Sequence, residues 1–242
     1  MFSFFKKKEQ ESEYEPLNTD IHSHLLPGID DGAATIEDSL ILLRGFIDMG
    51  FRKVITTPHV LEGFPNTPEI IKAKLAEVQA AAKAANLDIQ IGAAAEYFFD
   101  ETFVRKVMKG EELLTFGDNY LLFETAFLNE PINLKDMIKE MIWKGFKPVM
   151  AHPERYTWLA NNKEKLKQYH ETGVLFQVNV MAFAGFYDEA AKKTAEWLTD
   201  NEMVSFLGSD CHKVKHQEGY KTAMKTKHFK KAMELPLLNR WL

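Results

Sequence analysis

Short apolar runs alternate with amphipathic ones along nearly the whole chain, and this alternation restricts the fold more than any other feature. The runs LNTDIHSH, KVITTPH, DIQIGAAAEY, NYLLFET, KPVMAHPE, VLFQVNVMAF and VSFLGSDCH read as strands. Between and after them, IEDSLILLRGFIDMG, TPEIIKAKLAEVQAAAKAAN, ETFVRKVMKG, LKDMIKEMIWKG, KEKLKQYHETG, DEAAKKTAEWLTDN and GYKTAMKTKHFKKAME place apolar residues at helical spacing. Gly50 stops the first of these helices, while Thr67 caps the second, with Pro68 at its first position and Asn86 near its end. Strands that alternate with helices form a parallel sheet with the helices packed outside it. Seven such units predict a closed or nearly closed barrel of the TIM type, one repeat short. An open doubly wound sheet is the competing arrangement, but no glycine-rich dinucleotide fingerprint follows the first strand.

The 242 residues are ample for a large core, and no break in composition divides them. Residues 17–242 are therefore expected to form one domain, preceded by a tail over 1–16. The tail begins MFSFFKKK, the wrong order of charge and apolar residues for a secretory signal, and continues with the polar EQESEYEP. A disordered end is the plainer expectation. A weak contact of Phe2, Phe4, Phe5 and Lys6 to Lys8 with an anionic membrane or a partner is the sharper one. No apolar run is long enough to span a bilayer. A net charge of −5 and a pI near 5.9 speak against a nucleic-acid partner. The single cysteine excludes a disulfide framework and points to a reducing, cytoplasmic setting.

Five of the eight histidines fall at the C-terminal ends of predicted strands: His22, His24, His59, His152 and His212. Carboxylates share these positions, with Asp20 and Asp31 around the first strand, Glu96 ending the third, Glu124 ending the fourth and Asp210 just before His212. In a parallel barrel those ends converge on one mouth. Buried imidazoles and carboxylates each cost several kcal/mol unless paired, and divalent metal ions offset that cost. His22 and His24 are two residues apart, so on a strand both face the same way and can grip one ion. The same period puts Asp210 and His212 on one face and turns Cys211 into the barrel wall. Glu96 is placed to bridge two ions. Mixed oxygen and imidazole donors suit Mn, Fe or Zn better than Ca or Mg. His170, His216 and His228 lie on predicted helices or loops and read as surface residues.

The motifs DIHSH, TPH, AEY, AHPER and SDCH, in this order at strand ends, resemble the polymerase-and-histidinol-phosphatase (PHP) superfamily. HLLPGIDDGA, TTPH followed by NTPE, and AHPERY resemble its bacterial branch of manganese-dependent protein-tyrosine phosphatases, the capsular-polysaccharide regulators of the CpsB and YwqE type. The resemblance covers about Asn18 to Gly219. It implies a PHP fold, a distorted (β/α)7 barrel holding three metals, with His22, His24, Asp31, His59, Glu96, His152, Asp210 and His212 as ligands. It also implies a functional role for Glu124 and a phosphate-binding role for Arg155. Relatives often carry a further arginine after the final D-x-H, where this chain offers Lys213, Lys215 and His216.

The implied activity is hydrolysis of phosphotyrosine on a protein, such as a bacterial tyrosine autokinase, by a metal-activated hydroxide. Arg155 would hold two phosphate oxygens, and Asp31 or Glu124 would orient the water or protonate the leaving group. Tyr97, Phe64, Tyr156 and Trp158 are expected near the mouth, where they could pack on a phenyl ring. A small-molecule phosphatase of the histidinol-phosphatase type, an amidohydrolase, and a metal-holding module without turnover are the alternatives. A cysteine-based phosphatase is excluded, because Gln217 stands where that chemistry needs an arginine six residues after Cys211.

Overall fold

The computed structural model describes residues 16–242, so the expected tail and its surface contact lie outside the described residues except for Pro16. Nine strand segments occupy seven positions around a barrel. They are β1 (Thr19–Asp20), β2 (Lys53–Thr56), β3 (His59–Val60), β4 (Gln90–Ala93), β5 (Glu96–Phe98), β6 (Tyr120–Glu124), β7 (Lys147–Ala151), β8 (Leu175–Asn179) and β9 (Val204–Gly208). All pair in parallel, in the orders β1-β2-β4 and β3-β5-β6-β7-β8-β9.

The expected strands KVITTPH and DIQIGAAAEY are each broken. Pro58 has no N–H to give to a ladder, so β2 ends at Thr56 and the run resumes as β3. Bonds from the Ala94 N–H to the Thr56 carbonyl (2.9 Å) and from the Glu96 N–H to the Pro58 carbonyl (3.1 Å) carry the pairing across both breaks. The first strand is shorter than LNTDIHSH suggests, but its continuation closes the barrel. The Asp210 N–H donates to the His22 carbonyl (2.8 Å), the His24 N–H donates to the Cys211 carbonyl (2.9 Å), and Ser23 pairs in parallel with Cys211. The result is a closed, distorted (β/α)7 barrel.

The helices outside it are α1 (Ile36–Asp48), α2 (Pro68–Ala84), α3 (Glu101–Lys109), α4 (Leu134–Trp143), the short α5 (Thr157–Ala160), α6 (Lys163–Glu171), α7 (Glu189–Asp200), α8 (Val214–Ala223) and α9 (Lys227–Met233). Side-chain caps start most of them: Thr35 and Asp38 form a capping box on α1, and Thr67 and Asp100 cap α2 and α3. The single helix expected over GYKTAMKTKHFKKAME is two helices, and the first begins at Val214, immediately after the last barrel strand's motif.

Two apolar clusters hold the barrel. The larger lies between strands and helices and includes Phe46, Val54, Phe123, Phe176, Val178 and Leu198. The smaller joins Ile21, Ile55, Ala94, Phe116, Leu122, Val149, Ala151 and Phe206. Each fully buried Leu, Ile or Phe contributes about 1.5–3 kcal/mol. Leu122 stands two residues before Glu124 on β6, so the smaller cluster and that carboxylate share one face of the strand. A packed apolar layer thus underlies the polar residues at the strand ends.

Candidate metal centre

The strand ends bring the expected side chains into one connected group. Glu96, at the start of β5, is at its middle: its Oε2 lies 3.2 Å from His22 Nε2, 3.6 Å from His24 Nε2 and 3.2 Å from His59 Nδ1. Its Oε1 lies 3.1 Å from His152 Nε2. Asp31 Oδ1 approaches His212 Nε2 at 3.2 Å and His59 Nε2 at 3.6 Å. Glu124 Oε1 is 3.2 Å from His59 Nδ1, and Asp210 Oδ1 is 3.4–3.7 Å from His212, His24 and His22. Three overlapping sets have ligand atoms within 4.8 Å of one another: His24, Asp31, His59 and His212; His22, His24 and Glu96; His59, Glu96 and Glu124.

Several of these atoms have no hydrogen-bond partner among the described residues. His22 Nε2, His24 Nε2, His59 Nδ1 and Glu96 Oε2 are all buried and unsatisfied. Such atoms normally cost about 1–3 kcal/mol each, and four of them converging on one point fit cation ligation. An ion about 2.1 Å from each donor holds neighbouring donors roughly 3.0–3.5 Å apart, close to the separations around Glu96.

The other ring nitrogens of His22 and His24 are tied back to the protein. His22 Nδ1 meets Gln177 Oε1 at 2.6 Å, and His24 Nδ1 meets Asp30 Oδ2 at 2.8 Å. Each acceptor holds a proton on Nδ1 and leaves Nε2 a lone pair for a metal. Asp30 also accepts from the Gly32 and His59 N–H groups at 3.0 and 3.3 Å. Gly208 permits the first contact, since a Cβ there would lie 2.6 Å from Gln177 Nε2 and 2.8 Å from His22 Cβ. His152 and Asp210 adopt left-handed backbone, with φ of 33° and 48°. Such conformations cost about 1–3 kcal/mol each and cluster at functional sites.

The charges reinforce one another. Burial opposes protonation of His22, yet Glu96 and Asp210 outweigh it and raise its pKa to about 9. His59 rises likewise to about 10, against burial, through Glu96 and Glu124. Burial works against ionised Glu96, but the His22 and His59 imidazoles hold its carboxyl well below the usual range. The His212 hydrogen bond lowers Asp31. His152 is lowered, first by burial and then by Arg155.

Above the group lies a cavity of about 490 Å³ lined by Asp31, His59, Glu124, His152, Arg155, Asp210 and His212. Arg155 Nη1 donates to Asp210 Oδ2 at 3.0 Å. The rim carries Phe64, Phe98, Phe127, Phe186 and Tyr187. Of the four aromatic residues expected there, only Phe64 lines this cavity. Tyr97 is buried, and its hydroxyl accepts from the Leu114 N–H (2.7 Å); the fully buried Tyr156 accepts from the Thr125 N–H (3.0 Å). Trp158 donates to the Ala126 carbonyl (3.1 Å) and stacks on Tyr156. Asp20 binds the Ser209 N–H and hydroxyl away from the cluster, and burial raises its pKa to about 7. His216, expected at the surface, is half-buried. Its ring packs edge-on against His212 at 5.5 Å and lines the cavity. His228 is partly buried too, but it lies outside the cavity lining and pairs with Glu196.

Residues 18–234 match the family described as capsular polysaccharide synthesis, CpsB/CapC. The tyrosine-protein phosphatase YwqE of Bacillus subtilis is 29% identical over 199 residues, covering 81% of this chain and 78% of that protein. CpsB of Streptococcus pneumoniae, also called a tyrosine-protein phosphatase, is 29% identical over 228 residues, 89% of this chain and 93% of that one. CpsB of Streptococcus agalactiae is 30% identical over 200 residues, 80% of this chain and 82% of that one. A crystal structure from work on YwqE of Bacillus subtilis and CpsB of Streptococcus pneumoniae, described as metal-dependent tyrosine phosphatases, superposes with a TM-score of 0.80 at 26% identity over 90% of each chain. A putative histidinol phosphatase of Listeria monocytogenes, at 12% identity and a TM-score of 0.50, covers 82% of this chain and 96% of its own and shares the fold. With nearly its whole length matched, and the motif residues gathered at one barrel mouth, the chain belongs to the CpsB/CapC family of capsular polysaccharide synthesis.

Proposed function

We propose that this protein is a metal-dependent protein-tyrosine phosphatase whose substrate is a phosphotyrosine-bearing bacterial kinase of capsule or exopolysaccharide synthesis. The observation that carries the reading is the set of unsatisfied donors around Glu96, lying beneath a cavity rimmed by aromatic rings and Arg155. Its relatives' names and its family point the same way. Residues 17–242 act as the catalytic domain. The single, buried Cys211 agrees with work in the reducing cytoplasm. Among the described residues, no helix is long and apolar enough to cross a membrane.

The ligands are His22, His24, Asp31, His59, Glu96, His152, Asp210 and His212. Three overlapping donor sets suit three ions, with manganese preferred and iron or zinc compatible with the same donors. Bound there, the ions supply charge neutralisation for a phosphate and an acidified water. Arg155 keeps one nitrogen on Asp210 and offers its remaining N–H groups to two phosphate oxygens. Asp31 is 58% exposed at the cavity and its carboxyl is held in the ionised form, so it orients the attacking water rather than giving up a proton. Glu124, in the lining of the same cavity, is the acidic group left to serve the leaving group. A tyrosine leaving group, with a pKa of about 10, needs little acid assistance. The rim rings Phe64, Phe98 and Phe127 give its phenyl ring apolar surface.

The test compares kcat/KM for a phosphotyrosine peptide, a phosphoserine peptide, histidinol phosphate and p-nitrophenyl phosphate, with metal content measured on the same sample. The phosphotyrosine peptide should lead. A higher kcat/KM for histidinol phosphate would replace this reading with a small-molecule phosphatase on the same centre.

A further inference from the structure

Arg155 is held by two aromatic rings. Its guanidinium lies 4.8 Å from the Phe127 ring centre and 4.5 Å from that of Tyr187. The Tyr187 hydroxyl in turn accepts from Asn179 Nδ2 at 2.9 Å, and the same amide donates to Asp210 Oδ2 at 2.8 Å. Asp210 Oδ2 is the atom that Arg155 grips. Two of the three groups that hold the arginine, the Tyr187 ring and the Asp210 oxygen, therefore hang on one buried amide at the end of β8.

The hydrogen-bond directions follow from a single fact: a carboxylate only accepts. The nitrogen of Asn179 must therefore face Asp210, and its Oδ1 faces Gln177 Nε2, at 2.9 Å. Gln177 then turns its oxygen to His22 Nδ1. Each contact in this row pairs a donor with an acceptor, and no amide can be reversed without leaving two like groups opposed.

We infer that Tyr187 and Asn179 are positioning residues for phosphate recognition: Tyr187, together with Phe127, supports the Arg155 guanidinium, and Asn179 fixes both Tyr187 and the Asp210 oxygen that Arg155 binds. A guanidinium in contact with two rings and one carboxylate keeps free N–H groups for the cavity it lines and loses little freedom when an anion arrives. The inference rests on the phosphate-binding reading of Arg155.

The test uses the metal-loaded full chain and p-nitrophenyl phosphate, with inorganic phosphate as inhibitor. Tyr187→Leu should raise KM and the phosphate inhibition constant about tenfold while kcat changes little and metal content stays full. Tyr187→Phe keeps the ring and should stay within about threefold of the parent. Asn179→Ala should move KM in the same direction, and the double variant Asn179→Ala/Tyr187→Leu should be no worse than the poorer single, because both act through one arginine. A parent-like KM in Tyr187→Leu, or fully additive effects in the double variant, would overturn the inference. Arg155→Ala separates the two layers. If it leaves KM and phosphate inhibition unchanged, the phosphate-binding reading itself fails. If it weakens both and Tyr187→Leu does not, only the positioning role fails.

Discussion

Arg155 donates to Asp210 across 3.0 Å, although the two stand 55 positions apart in sequence. Asp210 divides its oxygens: Oδ2 serves Arg155 and Asn179, and Oδ1 faces His22, His24 and His212. One carboxylate thus links the proposed anion clamp to the proposed ligand group. The link makes the two separable by mutation, because each side uses a different oxygen.

Arg155→Ala should lose most phosphatase activity, about 10²–10³ in kcat/KM, by analogy with removal of one preorganised donor to a charged transition state. It should keep its metal, since Asp210 Oδ2 still has Asn179 as a donor. Steady-state kinetics with elemental analysis check both halves. Loss of metal would show that the arginine supports the ligand group instead.

Asp210→Ala and His22→Ala should behave differently from the arginine variant. Each leaves ionisable neighbours buried without a counter-charge or a cation, a change that costs about 3–5 kcal/mol when one partner of a buried pair is removed. Metal content and melting temperature should fall together. A variant that binds a full complement of metal at parental Tm would remove that residue from the ligand set.

The ligand residues were legible in the sequence because parallel strands deliver their C-terminal ends to one place. H-x-H, T-P-H and S-D-C-H each needed only a strand in front of them. The supporting residues were harder to see. In VLFQVNV the amides of Gln177 and Asn179 recur at period two in an otherwise apolar strand. That pattern puts both on one face, and it was the available signal for polar groups inside the barrel. Asp30 adjoins Asp31 in sequence, and only the turn through Gly32 decides that Asp30 folds inward onto His24 while Asp31 stays exposed. His216 was missed because α8 begins at Val214, earlier than the sequence pattern suggested, and brings it one turn from His212. Tyr156 and Trp158 depart for a similar reason. The chain coils at Pro153–Arg155 and again at Thr157, which sends Tyr156 down to Thr125 and leaves the rim to Phe127 and Tyr187.

Asp30→Asn tests the support beneath His24. The aspartate uses one oxygen on His24 Nδ1 and the His59 N–H and the other on the Gly32 N–H. An amide must turn its NH2 toward one set of donors and has no charge to offer the other. Metal affinity should fall about 10–100-fold, the usual effect of removing an outer-shell partner. Competition with a chelator of known affinity measures it, and parental affinity would mean that Asp30 merely shapes the turn.

The pH dependence of stability should differ between metal-free and metal-loaded protein. Without ions, His22 titrates near 9 and His59 near 10, both above the unfolded value of about 6.5. Burial disfavours their charged forms, and the surrounding carboxylates more than compensate. A pKa raised on folding contributes stability that is full below the unfolded value and is lost as pH rises through the folded one. Asp20 and Glu154, raised by burial to about 7 and about 8, push the same way at lower pH but are spent near pH 8. Glu96 and Asp210, held well below their usual range, add a constant amount across this window. Between pH 8 and 9.5 the Tm of chelator-treated protein should therefore fall, mainly through the two histidines. Metal binding requires both imidazoles neutral, so ions must displace their protons, and affinity strengthens as pH rises. The Tm difference between manganese-loaded and stripped protein should widen over the same interval. Calorimetry of manganese binding at pH 7.5, in buffers of different ionisation enthalpy, should record net proton release. A stripped protein with a flat Tm from pH 8 to 9.5, together with manganese binding that releases no protons, would mean that these histidines are not the ligands.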